Sequence, residues 1–407
     1  MSRLSVFCPI HGLIELTPLT LRILNTPEMQ RLRDLKQLGS TYFVFPSATH
    51  TRLEHSIGVS YLASKMGRKL QKIHPSLKIT DRFIELLGIA GLVHDIGHGP
   101  FSHLYDNYVK DEEEPEHEER GLVMFQEICE RERLSLTKDE FNEICKMINP
   151  TGDDVYNWRY QIVANKSCQI DVDKIDYIQR DSYHLGIPHT GEINRLLQLI
   201  RINKTDRGDE LTWDYKVEFD IYSLFSNRYR LHRQVYKHHT ISAFDYVVTE
   251  IMKNIKETGY SKIPLYKQTD AIVTQYCYNH PDDPLSKAIM KREHPHLYKQ
   301  LVILDSSSES YRGFKEIDDG IVIDDVKIGF VSGSGNNPLK NVNYFNGKME
   351  TYKVMKGKSS FIIPEEYQEI LVRMYFTKEG VDKDRLEEQW QKVEKMYSDL
   401  TTHQCNS

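Results

Sequence analysis

Gly91-Leu-Val-His-Asp-Ile-Gly-His-Gly-Pro-Phe-Ser-His103 places His94 and Asp95 directly after an apolar run, which points to a metal site inside a helical core. The run, residues 83–93, is long and apolar enough for a buried helix, and the glycines and proline that follow predict that this helix ends just past the pair. An imidazole next to a carboxylate suits a divalent cation. Taken alone, such a pair more often caps a helix or makes a hydrogen bond, so the metal interpretation depends on ligands elsewhere in the chain.

Two other segments supply ligands of the same kind. Upstream, His55 lies where apolar residues recur at helical spacing. Downstream, Asp173, Tyr177 and Asp181 follow one another at four-residue steps, which puts them on one face of a helix. His55, the His-Asp pair and Asp173 together predict a site of two histidines and two carboxylates drawn from three helices, as in metal sites within helical bundles.

The side chains around this site suit phosphate chemistry. A divalent cation held by the four ligands would lower the pKa of a bound water from about 15.7 toward roughly 7, and so supply a metal-bound hydroxide as nucleophile. Each neighbouring histidine alone favours a structural role, but the concentration of cationic or protonatable groups near the metal pair favours catalysis. Groups of this type, which suit phosphate oxygens, are Arg52, His98, His103, His117 and Lys174.

The ordered set of His, His-Asp and Asp resembles the signature of the HD-domain metal-dependent phosphohydrolases. Longer segments are similar to one branch of them, the dNTP triphosphohydrolases that carry a sterile-alpha-motif domain before the HD domain. The resemblance runs from about Pro9 to Tyr236 and recurs weakly at 337–338 and 363–366. The segments that carry it are Gln30-Arg-Leu-Arg-Asp-Leu-Lys-Gln-Leu-Gly39, Phe43-Val-Phe-Pro46, Arg52-Leu-Glu-His-Ser-Ile-Gly-Val59, His94-Asp-Ile-Gly-His-Gly-Pro-Phe-Ser-His103, Asp171-Val-Asp-Lys174 and His184-Leu-Gly-Ile187.

The resemblance implies roles for particular positions. It implies that His103 protonates the leaving 5′ oxygen and that Asp106 sets the tautomer and basicity of His103. The positions that match metal ligands are His55, His94, Asp95 and Asp173. The positions that match contacts to the triphosphate are Arg52, His98, His117, Lys174 and Arg228.

The resemblance also implies a pocket that selects the sugar. Arg228, His232 and Tyr236 stand at four-residue steps, so they share one helix face. Leu38 and Tyr236 match the pair that crowds the sugar 2′ position, where a hydroxyl without room or partner is rejected. Tyr177 and Asp181 match positions near the sugar, and Gln37 with Asp181 matches the group that reads the 3′ hydroxyl. The implied substrates are therefore deoxynucleotides.

Regulation is where the resemblance weakens. Members of the branch assemble as tetramers when GTP and a dNTP fill sites between subunits. Asn25 replaces the guanine-reading Asp, Leu4 replaces a Lys and Phe7 replaces an Asn. In the second site Asp214 replaces an Arg, and its carboxylate disfavours the binding of a triphosphate. We therefore expect a homo-oligomer, dimer or tetramer, that does not depend on GTP. The residues that remain candidates for an activating nucleotide are Gln30, Arg33, Val44, Arg195, Lys216 and His238.

Composition agrees with an intracellular enzyme. The net charge of −6 argues against broad nucleic-acid binding by charge, which leaves nucleic acid a secondary partner through a local basic patch. The six cysteines form no C-x-x-C pair and indicate reduced thiols. Neither a membrane-length apolar run nor a secretory signal is present in the sequence, so we expect a cytoplasmic or nuclear protein without a membrane partner. Because the resemblance begins within the first dozen residues, we expect the catalytic module without a sterile-alpha-motif domain.

Patterning predicts a mainly α fold, an HD-domain helical core with a small α+β lobe at its C-terminal end. Residues 13–300 are mostly helical in pattern, and the acidic run 111–119, which contains His117, is a loop by composition. We expect the HD domain in residues 1–300 and the lobe in 301–407. Loop signals stand at 279–284, 306–310 and 332–338, strand patterns at 320–331 and in parts of 341–362, and a helical pattern at 382–400.

The resemblance, together with the candidate ligands and phosphate-binding residues, implies hydrolysis of a dNTP to a deoxynucleoside and inorganic triphosphate. Fe, Mn, Zn or Ni would occupy the HD site and Mg would accompany the triphosphate. One alternative is an HD-type phosphodiesterase or phosphatase that acts on another nucleotide, against which Gln37, Leu38 and Tyr236 argue. Another is a protein that only binds nucleotides or single-stranded nucleic acid, which we would expect to have lost a metal ligand or His103.

Overall fold

The computed structural model describes residues 4–258, 264–304, 313–331, 337–353, 363–377 and 381–397. The fold is mainly α with small sheets, as predicted from the sequence. The α-helices are α1 (Pro18–Leu24), α2 (Pro27–Arg31), α3 (Arg52–Ile73), α4 (Asp81–Val93), α5 (His103–Tyr108), α6 (His117–Arg131), α7 (Lys138–Ile148), α8 (Val172–Leu185), α9 (Ile193–Gln198), α10 (Glu218–Leu231), α11 (His239–Glu257), α12 (Ala271–Asn279), α13 (Pro284–Met290) and α14 (Lys383–Met396). The strands are β1 (Leu4–Cys8), β2 (Gly12–Leu16), β3 (Ile200–Lys204), β4 (Asp209–Asp214), β5 (His296–Ile303), β6 (Gly313–Asp318), β7 (Ile321–Gly329), β8 (Asn343–Phe345), β9 (Thr351–Lys353) and β10 (Gln368–Phe376).

Helix α4 forms the centre of the helical body. It is buried almost throughout because its sequence is apolar from Phe83 onward, and the Thr80 hydroxyl caps its start by accepting from the Phe83 N–H. The helix packs closely along α3, since a Cβ added to Gly91 would lie 3.0 Å from the backbone nitrogen of Ser60. The carboxyl end of α4, where the His-Asp pair stands, is thereby held against α3.

Helix α8 brings the third segment to the same place. The Asp171 carboxylate accepts from the Lys174 N–H and starts the helix, and Gly186, in the left-handed conformation, ends it. Ile175 and Ile178 are buried in the hydrophobic core, and α8 packs against α3 and α10. The three helices that the sequence pattern selected therefore meet.

An antiparallel sheet and a helix follow the helical body. The strand order is β5-β10-β7-β6, and α14 covers the sheet with Leu386, Trp390 and Val393, which are buried with the apolar residues of the strands. β7 confirms the strand predicted at 320–331, and α14 confirms the helix predicted from residue 382. Residues 398–400 of that prediction lie outside the described residues.

A second sheet joins the helical body to the C-terminal region. Its order is β3-β4-β8-β9, and β4 pairs in parallel with β8 at Trp213 and Tyr344. β8 and β9 account for strand pattern within 341–362, of which 354–362 lie outside the described residues. The division of the chain into 1–300 and 301–407 stays a prediction.

The predicted loops fall between helices. The break at 279–284 separates α12 from α13, and the acidic run from residue 111 is turn and loop until α6 begins at His117. The loop signals at 306–310 and 332–336 lie outside the described residues. None of the described helices combines the length and the apolar character that crossing a bilayer requires.

Candidate metal centre and active site

Four side chains from three helices meet at one point. His55 projects from α3, His94 and Asp95 stand at the end of α4, and Asp173 lies in the first turn of α8. The Asp173 Oδ1 atom lies 2.9 Å from His55 Nε2 and 3.6 Å from His94 Nε2. The Asp95 carboxylate lies 3.3 Å from His94 Nε2 and 3.7 Å from His55 Nε2. The structure therefore brings together all four side chains that the sequence selected as metal ligands.

The two imidazole rings are oriented as metal ligands. His94 Nδ1 lies 2.8 Å from the Gly91 carbonyl oxygen, which can only accept, so this nitrogen carries the proton. His55 Nδ1 lies 2.8 Å from the Asp176 carboxylate, which fixes the same tautomer. In the neutral form of each ring, which is the form that binds a metal, the lone pair is on Nε2, and His94 Nε2 is buried with no hydrogen-bond partner among the described residues. The site thus fits a divalent cation, for which two neutral imidazoles and two carboxylates are suitable ligands.

The electrostatic field at the site favours a positive charge. Burial lowers the pKa of His55, but its hydrogen bonds to Asp173 and Asp176 raise it to about 10, so a cation that binds here would displace a proton from Nε2. Burial raises the pKa of Asp95, but His94 and Arg52 hold it well below the usual value. A cation between these ligand atoms would be stabilised by the same carboxylates.

Asp176 supports His55 and was missed in the sequence analysis. It is fully buried, and besides His55 it accepts from His11 Nε2 at 2.6 Å and from Arg180 Nε at 2.8 Å. Helix α3 can approach only because residue 58 is glycine, since a Cβ at Gly58 would lie 2.1 Å from the Asp176 carboxylate. The sequence feature that could have identified Asp176 is its position three residues after Asp173, which puts both side chains on neighbouring faces of α8.

The histidines proposed for catalysis form a second cluster beside the first. The rings of His98 and His117 stack with centroids 3.9 Å apart, and the ring of His103 lies 5.3 Å from that of His98. Asp106 Oδ2 lies 3.3 Å from His98 Nδ1 and 3.2 Å from His117 Nδ1, while the other oxygen pairs with Arg120. Burial lowers the pKa of His98 to about 4, helped by Arg52 and His117. His98 is therefore neutral around pH 7.

Asp106 contacts different histidines from the one expected. Among the described residues no hydrogen bond or ion pair joins Asp106 to His103, which stands at the start of α5 with an exposed side chain. Asp106 could therefore influence the tautomer of His103 only through its electrostatic field or through His98, which it contacts. The assigned role of Asp106 stays a prediction.

The backbone before His103 is strained. Phe101 and Ser102 have φ values of 54° and 53°, which non-glycine residues rarely adopt. Two side-chain contacts hold this loop: Asp270 accepts from the Phe101 N–H at 2.7 Å, and Ser102 Oγ lies 2.6 Å from Arg52 Nε. Asp270 and Ser102 are thus positioning residues that sequence spacing gave no means to find.

The cationic residues predicted to bind phosphate surround the metal ligands. Arg52 is buried and pairs with Asp95, and Lys174 is buried with its Nζ 3.7 Å from Asp171. Arg228 is buried on α10 and donates to the carbonyl oxygen of Gly329 at the end of β7. Substrate phosphates would have to share or replace these contacts.

The residues assigned to the sugar also come together. The Tyr236 hydroxyl donates to Asp181, whose other oxygen lies 2.7 Å from His50 Nε2. The Gln37 N–H donates to the His50 carbonyl at 2.9 Å, and the Gln37 side-chain oxygen is buried without a hydrogen-bond partner among the described residues. The ring of His232 lies 4.9 Å from that of Tyr236. Tyr177 is close enough to Tyr236 to influence its pKa, and Leu38 follows Gln37 directly.

A cavity opens beside the metal ligands. Its volume is about 250 Å³, and its walls include His94, Asp95, Asp173 and His117 together with the loop 163–171. The cavity gives a small polar group access to the metal position and to the stacked histidines.

The candidate residues for an activating nucleotide form separate groups. Arg33 Nε donates to the Gln30 side chain at 2.8 Å, and Arg195 donates to the Lys216 carbonyl at 3.2 Å. Within the described residues no hydrogen bond or ion pair joins these two pairs. His238 lies with its ring 6.3 Å from that of Phe45, next to Val44 in the chain. Their role in nucleotide binding stays a prediction.

Comparison with known proteins gives a consistent result. The family model described as HD domain matches residues 52–181, which include the four predicted metal ligands. The chain is 31% identical to deoxynucleoside triphosphate triphosphohydrolase SAMHD1 of Homo sapiens, over 93% of this chain and 71% of that protein. It is 29% identical to the protein of the same name from Bos taurus, over 91% of this chain and 74% of that protein. It is also 29% identical to the SAMHD1 homolog of Dictyostelium discoideum, over 90% and 76% of the two chains.

Proposed function

Because this chain belongs to the SAMHD1 family of HD-domain deoxynucleoside triphosphate triphosphohydrolases, we propose that it hydrolyses dNTPs to a deoxynucleoside and inorganic triphosphate. The observation that carries the proposal is the convergence of His55, His94, Asp95 and Asp173 beside a cavity, with the buried cations Arg52 and Lys174 next to them.

The residues that would hold the cation are these four ligands. The orphaned Nε2 atom of His94 and the Nε2 atom of His55, which the Asp176 contact leaves free of a proton in the neutral ring, support this assignment. Imidazole and carboxylate ligands together suit Fe, Mn, Zn or Ni. A divalent cation bound there would acidify a coordinated water and polarise a phosphoryl oxygen.

The cationic side chains would bind and orient the triphosphate. Arg52, Lys174 and Arg228 supply positive charge from three helices. The ring of His98, which is neutral, supplies nitrogens for hydrogen bonds, and the ring of His117 supplies further ones. A triphosphate that arrives with Mg²⁺ would compete with Asp95 for the guanidinium of Arg52. This exchange couples phosphate binding to the metal ligands.

His103 is the proposed general acid. It follows the strained backbone of Phe101 and Ser102 and is accessible, so a ring nitrogen can reach the 5′ oxygen of a leaving deoxynucleoside and give it a proton. Rings of the stacked pair, His98 and His117, would limit the positions that His103 can take.

Tyr236 and Leu38 would select the sugar. The hydrogen bond from Tyr236 to Asp181 holds the phenol in one position, and a ribose 2′ hydroxyl pressed against it would lose water without gaining a partner. Asp181 and the unpartnered side-chain oxygen of Gln37 could accept from a 3′ hydroxyl. We further propose that the protein acts as a homo-oligomer, without a requirement for GTP.

A product assay tests the proposed reaction. The purified protein, loaded with Mn²⁺ or Fe²⁺ and supplied with Mg²⁺, is incubated with each dNTP, with and without GTP, and the products are separated by chromatography. Deoxynucleoside and inorganic triphosphate in equal amounts would support the proposal. A deoxynucleoside monophosphate with pyrophosphate would indicate attack at another bond, and no turnover with any dNTP would contradict it.

A further inference from the structure

A π-helical turn carries two residues of the sugar pocket. Residues His232–Tyr236 form this turn between α10 and α11, and the N–H of Lys237 donates to the carbonyl of His232, five residues earlier, at 2.9 Å. Such turns are rare and occur mainly at functional sites. The position of the Tyr236 ring therefore depends on whatever holds the turn in this form.

Strand β10 holds the end of this turn through Arg373. The guanidinium, on a residue only 3% exposed, donates from Nη2 to the Lys237 carbonyl at 2.6 Å and from Nη1 to Ser242 Oγ at 3.1 Å. Arg373 therefore bonds both to the residue that directly follows the turn and to the first turn of α11.

The sheet in turn fixes the guanidinium. Arg373 stands directly opposite Gln300 of β5 and Asp324 of β7. Its Nε donates to Gln300 Oε1 at 2.8 Å, and its Nη1 lies 3.8 Å from Asp324 Oδ2. A planar guanidinium held on several sides keeps one orientation, which a flexible lysine would not.

A second residue of β10 forms a hydrogen bond to the segment that follows the turn. Tyr375, 2% exposed, donates from its hydroxyl to the carbonyl of His239 at 2.9 Å. The carbonyls of Lys237, directly after the turn, and of His239, at the start of α11, thus accept hydrogen bonds from one strand.

We infer that Arg373 is a positioning residue for sugar selection, which holds the π-helical turn so that Tyr236 excludes a 2′ hydroxyl. The inference rests on the proposed function. Loss of the Arg373 contact lets the turn relax toward ordinary α-helical spacing. A shift of one residue in the helical register rotates a side chain by about 100° around the helix axis. Tyr236 then loses its place against Asp181, and misplacement of about 1 Å is enough to change reaction rates by about a hundredfold.

The test compares Arg373→Gln and Arg373→Lys with a matched control, Arg385→Gln. Arg385 is an arginine of α14 that pairs with Asp318 on the edge strand β6. The measured quantity is the kcat/KM for dATP divided by that for ATP, in proteins with matching circular dichroism and Tm. We expect Arg373→Gln to lower this ratio by about ten- to a hundredfold. Arg373→Lys recovers part of it, since an ammonium can still donate to the Lys237 carbonyl, and Arg385→Gln leaves it unchanged.

An equal ratio in Arg373→Gln and Arg385→Gln would overturn the inference. If Arg373→Gln does not fold, Tyr375→Phe is the variant that tests the inference, because it removes the hydroxyl that donates to His239 and keeps the ring. A fall of about fivefold in its ratio of kcat/KM values supports the inference that β10 holds the turn, and an unchanged ratio overturns it. If the wild-type protein hydrolyses no dNTP, the proposed function fails. The preference for dATP over ATP is then measured as the ratio of their dissociation constants, by calorimetry on the same variants. A changed ratio in Arg373→Gln supports the positioning role of Arg373, and an unchanged ratio overturns it.

Discussion

Asp176 accepts a hydrogen bond from Nδ1 of His55 at 2.8 Å, and Nε2 of the same ring faces Asp173 at 2.9 Å. Asp176 thus determines which nitrogen of His55 is offered to a metal, although it touches neither the proposed cation position nor the substrate. A carboxylate in this position fixes the orientation of the metal-binding imidazole and raises its basicity, and both effects increase metal affinity.

Asp176→Asn should therefore weaken metal binding. The amide can still accept from His55, but it lacks the charge that raises ligand basicity, so we expect metal affinity to fall by about 10- to 100-fold. Metal content after dialysis against a calibrated chelator measures the effect. Asp139→Asn, at an exposed position of α7, is the control. Equal metal content in both variants would show that Asp176 has only a structural role.

His103→Ala should separate chemistry from binding. The variant keeps the metal ligands and the cationic groups, so dNTP and metal still bind, while kcat falls by about 10²- to 10⁴-fold, as for removal of a general acid. Steady-state kinetics with dATP and a binding titration give both numbers. A rise in KM with kcat unchanged would assign His103 to binding and move the acid to His98 or His117.

Tyr236→Val should narrow the preference for dNTP over NTP. The smaller side chain relieves crowding at the sugar 2′ carbon, whereas Tyr236→Phe keeps the ring and serves as the matched control. The ratio of kcat/KM values for dATP and ATP is the readout. The steric assignment is wrong if Tyr236→Val has the ratio of the wild-type protein.

The sequence predicted the four candidate metal ligands because their chemistry and spacing are local properties. His94 and Asp95 end an apolar helix, and Asp173 stands at four-residue steps with Tyr177 and Asp181, so helical geometry alone puts each ligand on a defined face. The convergence of the three helices followed from the buried faces that these patterns imply.

Other features depend on contacts that no local pattern contains. The pairing of Asp106 with His98 and His117 results from the packing of α5 against the stacked rings. The π-helical turn before Lys237 is held by Arg373, a residue far along the chain. The β3–β4 hairpin was missed for a different reason, since the alternating residues 200–204 before an Asp-Arg-Gly-Asp turn carried a strand signal within a stretch taken as helical.

Hydrolysis should not require GTP. Asn25 replaces the carboxylate that the family resemblance assigns to guanine, and an amide has one acceptor oxygen for two donors of the base. Loss of such a charge-assisted contact costs about 1.5–3 kcal/mol, or roughly ten- to a hundredfold in affinity. Nucleotide-stripped protein with dATP or dTTP as the sole nucleotide should therefore be active, and its sedimentation should not change with GTP. Inactivity that micromolar GTP restores would show a working guanine site around Gln30 and Arg33.

The proposed reaction requires one metal, held by His55, His94, Asp95 and Asp173. The most direct measurement is metal content and triphosphate release in the same sample of Asp95→Asn, with circular dichroism as the check on the helical fold. We predict that metal and activity are lost together while the fold is retained, because removal of a ligand also removes the activated water. Full activity in a metal-free Asp95→Asn protein would show that dNTP hydrolysis does not require a metal at this site.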